Sequence, residues 1–233
     1  MIVVILGSGP NVVECRSWDR RVFDRIVAIN NAWAVRPDWD ILIHPEDFPV
    51  DRRPSILSEG QRIVTAEEYV PLQNRHGGFV YAGGTMAFTA GYWALEALAP
   101  RVIAHLGCDM VYADGPQTHF YGRGEADPLR ADVTLRSLEA KSARLQAHAA
   151  ERGCAMVNLS TDPSRLTYPR ATLESLASAR PKSMNRSAVA AARAAERQAD
   201  YMVRSGRYWE EEARFDTGVI DRIDALWREA VPA

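Results

Sequence analysis

The chain opens MIVVILGSGPN (residues 1–11), and the reading of this stretch decides the fold. Ile2–Leu6 is an unbroken run of β-branched and aliphatic residues, the pattern of a strand buried on both faces of a parallel sheet. Gly7-Ser8-Gly9-Pro10-Asn11 then ends it abruptly. Glycines at the carboxyl end of such a strand let backbone N–H groups approach a phosphate, and open α/β sheets bind ligands along that edge. The other reading is a tight turn required by chain geometry alone. The third glycine of a dinucleotide fingerprint is missing, since Val12 stands there, and no acidic residue ends the next strand to hold a ribose.

Similar short apolar runs recur at residues 25–29, 40–43, 61–65, 101–106 and 155–159, and helical periodicity is clearest over 84–98 and 131–152. Strands alternating with helices predict an α/β fold, a doubly wound and mostly parallel sheet. From Ser160 onward Pro163, Pro169 and Pro181 punctuate a polar stretch, and residues 183–230 turn into Ala/Arg/Glu-rich helical sequence. Ala188, Ala191, Ala195, Ala199 and Met202 mark one helical face; Val219, Ile220, Ile223, Leu226 and Trp227 mark a second. The expectation is a nucleotide-binding domain over residues 1–165 and a helical C-terminal extension over 166–233. Two helices joined near Gly206 would dock on the chain's own sheet or on a second subunit, forming a homo-oligomer.

At 233 residues, 47% of them hydrophobic, the chain can bury a core without disulfide or metal staples. Its 28 basic and 30 acidic residues leave a net charge of −2 and no electrostatic reason to bind nucleic acid or an anionic membrane. Small molecules are the default partner. Cys15, Cys108 and Cys154 are odd in number and widely spaced, which argues against a disulfide framework or a zinc site and fits a reducing, cytoplasmic setting. The first residues lack the basic region of a signal peptide. The most apolar long stretch, 85–99, is interrupted by Glu96 and falls short of the roughly 20 residues that span a bilayer.

Candidate site residues follow the strand ends. Asn30-Asn31 stands where a dinucleotide enzyme places a carboxylate; paired amides there either contact a nucleotide or form an Asx turn. His44-Pro45-Glu46-Asp47 is short of ligands for a metal. Gly83-Gly84-Thr85 opens a helix, offering an anion contact or simple N-capping. Asp109 follows the strand at 101–106 and is either an active-site carboxylate or a structural cap. The loop over 113–132 is longer than ordinary connections and carries His119, a natural general base near neutral pH. Trp18, Trp33, Trp93 and Trp209 are expected to pack in the core.

In order and spacing, GSGPN, AINNAW, GGT, GCDMVY and THFYG together resemble the bacterial sialyltransferases that decorate lipooligosaccharide, over residues 1 to about 160. The resemblance implies a Rossmann-like, inverting, metal-independent glycosyltransferase that takes a nucleotide sugar as donor and a glycan or small molecule as acceptor, with no resident cofactor. Gly7, Ser8, Gly9, Pro10 and Asn11 would then surround the nucleotide's phosphate, Asn30 or Asn31 would contact the nucleotide, and His119 would be the base. Tyr112 and Tyr121 would support the departing phosphate, although Tyr112 lies one residue later than the family pattern. The Ala/Arg/Glu tail departs from that family. A wider group sharing the glycine turn and the GxD element resembles archaeal-type hydroxymethyl-dihydropterin pyrophosphokinase and implies magnesium-dependent diphosphoryl transfer through Asp109. A third reading is a nucleotide-binding protein without catalysis.

Overall fold

A computed structural model of the chain describes residues 1–112, 118–123 and 131–231. Six strands form one all-parallel sheet: β1 (Ile2–Leu6), β2 (Arg25–Ile29), β3 (Ile41–Ile43), β4 (Arg62–Val64), β5 (Val102–Leu106) and β6 (Ala155–Asn158). Their order is β4-β3-β2-β1-β5-β6. The α-helices are α1 (Ala66–Asn74), α2 (Phe79–Ala82), α3 (Met86–Ala97), α4 (Leu138–Glu151), α5 (Arg186–Ala199) and α6 (Thr217–Glu229). The fold is α/β and Rossmann-like.

Each apolar run alternates between the two faces. Val3 and Ile5 join Val27, Ile29 and Ile103 beneath Phe88 and Trp93 of α3 and Leu145 of α4. Val4 and Leu6 join Ile26, Ala28 and Ala104 on the opposite face. That second face is covered by 3-10 turns, Pro10–Ser17 and Asn30–Ala34, together with Leu176. The crossovers after β1 and β2 are therefore tighter than α-helical ones, with Pro10 starting the first.

The C-terminal helices pack on the chain's own helical layer. Ala188, Val189 and Ala192 of α5 and Ile220, Ile223 and Trp227 of α6 share one cluster with Tyr81 of α2 and Ala140 and Ala147 of α4. Ala191, placed on the buried face by spacing, is exposed, whereas Glu196 is buried. The connection between the two helices contains Gly206, at φ 79°. Asp200, at φ 50°, ends α5 in the left-handed region, and a connection containing a 3-10 segment, Tyr208–Arg214, leads to α6.

Polar groups inside this cluster weld the tail to the core. Arg144 of α4, 1% exposed, donates to both carboxylate oxygens of Glu196, at 2.7 and 2.9 Å, and to Tyr92 Oη at 2.7 Å. It also donates to the carbonyl of His76. Trp227 Nε1 completes the set by donating to Glu196 Oε1 at 2.7 Å. A second buried pair joins Lys141 Nζ to Asp224 Oδ1 at 2.7 Å.

Candidate active site

The chain leaves β1 toward β2 on one side and later crosses to β5 on the other, so the loops leaving β1 and β5 diverge. Such a switch point opens a crevice at the carboxyl edge of the sheet. Here it is a cleft of about 390 Å³, within the usual range for a small-molecule site. The glycine turn after β1, Ile29 and Asn30 at the end of β2, residues 107–112 after β5, and Asp162 and Pro163 after β6 line it. Thr85, Met86 and Ala87 enter from the start of α3, and Thr118, His119 and Tyr121 from the long loop. Residues 113–117 and 124–130 of that loop lie outside the described residues.

The glycines bring two strand ends together. Gly7 N donates to Leu106 O and Gly9 N to Gly107 O, each at 2.8 Å. A Cβ on Gly7 would lie 2.3 Å from Gly107 O, closer than any real contact, and Gly107 itself sits at φ 69°. These two N–H groups are thus bonded to the neighbouring strand rather than aimed at a phosphate. Gly83 and Gly84 do not line the cleft: side chains of Phe88 and Lys141 crowd the first, and those of Thr134 and Tyr208 the second. Thr85 does line it and caps α3 through Phe88 N, so the positive helix end faces the cleft.

Asp109 ties three strand ends into one network. Its Oδ2 accepts from Asn11 Nδ2 at 2.9 Å and its Oδ1 from Asn158 Nδ2 at 3.0 Å. The Asn11 amide also donates toward Ser160 Oγ, at 2.7 Å, and Asp162 Oδ2, at 3.0 Å. Asn158 and Ser160, which sequence reasoning missed, do not line the cleft but hold Asp109 and Asn11, which do, from the end of β6. The only signal for them is the change to polar residues after that strand. The two amides use one lone pair on each Asp109 oxygen. Among the described residues no group of three histidines, cysteines or acids is placed to hold a metal. His44 lies outside the cleft, with Nδ1 2.8 Å from Pro45 O and its ring against Phe48.

Two carboxamide oxygens of the cleft, Asn11 Oδ1 and Asn30 Oδ1, are buried and have no hydrogen-bond partner among the described residues. Asn30 holds φ 50° at the end of β2, and its buried Oδ1 has no hydrogen-bond partner among the described residues. A buried, unpaired carboxamide oxygen costs about 1–3 kcal/mol unless a ligand supplies a donor. Met110, beside Asp109, is also left-handed, at φ 54°. Strained backbone of this kind concentrates at functional sites. Asn31 does not line the cleft.

His119 is 7% exposed, with Tyr121 stacked on it at 5.0 Å and the Tyr112 ring 5.9 Å away. His119 N and O pair with Gly122, and Phe120 N donates to Ser8 O at 3.0 Å, fastening this turn to the glycine turn. Burial pushes the Cys108 thiol far above its ordinary range, which disfavours a nucleophilic thiolate there. None of Trp18, Trp33, Trp93 and Trp209 reaches the cleft; Trp93 is buried and Trp209 is 55% exposed. No helix among the described residues is long and apolar enough to cross a membrane. No family model, curated protein or solved structure matches the chain.

Proposed function

We propose that the chain is a nucleotide-sugar-dependent glycosyltransferase that works by inversion, without a metal, with His119 as general base. The observation that carries this reading is the convergence of His119, Tyr112, Tyr121, Asn30 and the start of α3 in one crevice at the switch point of the sheet. Asn30 would bond the nucleotide, filling its empty acceptor. The positive end of α3 and the tyrosine hydroxyls would stabilise charge on the departing phosphate. His119 would take the proton of an acceptor hydroxyl as that oxygen bonds the anomeric carbon and the bond to phosphate breaks. The short motifs resembling lipooligosaccharide sialyltransferases support the same assignment. Three free, buried cysteines favour a reducing compartment such as the cytoplasm.

Asp109 and Asp162, both within 3.0 Å of one amide nitrogen, favour a second reading, magnesium-dependent diphosphoryl transfer. It is the weaker of the two, because no third acid, histidine or cysteine is grouped with them among the described residues. The test is release of free nucleotide from CMP-, UDP- and GDP-sugars in the presence of EDTA, with sugar and alcohol acceptors. His119→Gln should lower turnover about 10²–10⁴-fold while nucleotide still binds. Turnover unchanged in His119→Gln would refute the assignment of the base, and turnover of ATP with magnesium alone would establish the second reading.

A further inference from the structure

The turn that carries His119 contains one contact the proposed chemistry has not used. Thr118 Oγ1 lies 2.9 Å from His119 Nδ1. The ring has little freedom to leave it, because backbone bonds to Gly122 close the turn, Phe120 anchors it to Ser8 and Tyr121 covers the ring face. A neutral imidazole carries one N–H and one bare nitrogen, and the partner of one nitrogen decides the state of the other. A threonine hydroxyl can either accept from a protonated Nδ1 or donate to a bare one. Only the first arrangement leaves Nε2 able to take a proton.

We infer that Thr118 is a positioning residue: its hydroxyl accepts from Nδ1–H and holds His119 in the tautomer whose Nε2 is the base. The inference rests on the role of His119 proposed above. In the transfer step the acceptor O–H bond breaks and its proton passes to Nε2. The oxygen's electron pair forms the new bond to the anomeric carbon, and the old bonding pair leaves on the nucleotide phosphate. The imidazolium so formed keeps its Nδ1–H bond to Thr118, which strengthens as the donor becomes charged.

Long-range proton–nitrogen correlation spectra of protein with ¹⁵N-labelled histidine read the tautomer directly, with no substrate needed. His119→Gln assigns the signals of His119 among the 5 histidines. The wild type should show the Nδ1-protonated pattern, Thr118→Val should lose it, and Thr118→Ser, which restores the hydroxyl, should regain it. Thermal unfolding of Thr118→Val verifies that the fold is kept. Turnover of the active nucleotide sugar should fall at least about tenfold in Thr118→Val, with KM little changed, and recover in Thr118→Ser. An Nε2-protonated wild type, or a Thr118→Val that keeps the wild-type tautomer, overturns the inference. Loss of the tautomer with turnover unaffected by His119→Gln would instead refute the proposed base.

Discussion

Replacing Glu196 with alanine should destabilise the fold more than any single change on the surface of the tail. The substitution leaves the Arg144 guanidinium, 1% exposed, with Tyr92 Oη and a backbone carbonyl but no anion. Breaking one side of a buried ion pair costs about 3–5 kcal/mol. The Trp227 indole N–H loses its acceptor as well, a further cost of about 1–3 kcal/mol. A loss of at least about 4 kcal/mol is therefore expected, or about 8–16 °C in Tm for a chain of this size. Thermal unfolding followed by far-ultraviolet circular dichroism, with urea unfolding alongside, measures it. Arg144→Met combined with Glu196→Leu should be milder than Glu196→Ala, because no charge is then left buried alone. A shift below about 2 °C for Glu196→Ala would refute the claim that this pair joins the C-terminal helices to the core.

Gly7→Ala should cost about 1–3 kcal/mol, the range for forced overpacking, because its Cβ meets Gly107 O at 2.3 Å. Spreading the ends of β1 and β5 should also weaken nucleotide binding, measured by titration calorimetry. Asp109→Asn faces two asparagine amides with one fewer acceptor oxygen and should lose about 1–3 kcal/mol in urea unfolding. Acid should destabilise the fold well before its carboxylates titrate. Burial lowers His76 and His105 from 6.5 to about 4. The unfolded chain then binds more protons, so their contribution, roughly 3 kcal/mol each at most, is complete above pH 6.5 and lost as pH falls toward about 4. Urea midpoints across that window check it, and a flat profile would contradict the burial of these two rings.

How much of this was legible in the chain depends on whether the cause was local. Ile2–Leu6 and the other apolar runs placed all six strands to within a residue or two, because burial on both faces leaves an unmistakable sequence. Helix α1 leaves no clear pattern in the sequence, because Pro71 lies inside it and its apolar periodicity is weak. Alanine spacing put Ala191 on the buried face of α5, but the partner that decides the orientation is Arg144, 52 residues away from Glu196. The strand-end residues of the cleft were legible for the same topological reason that ligands bind there. Asn158 was not, since its role comes from a hydrogen bond to Asp109 across 49 residues. Nor could the sequence tell that the Gly7 and Gly9 N–H groups bond the neighbouring strand end.

On the function proposed above, the crevice between β1 and β5 would hold the nucleotide of an activated sugar without a metal. The most direct measurement is titration calorimetry of the protein with CMP, CDP, UDP, GDP and ATP, in EDTA and again with magnesium. Saturable binding of CMP or CDP is expected in EDTA, weakened at least about tenfold by Asn30→Ala through loss of its hydrogen bond to the nucleotide. Binding of ATP only with magnesium, no binding by any nucleotide, or an affinity indifferent to Asn30→Ala would contradict it.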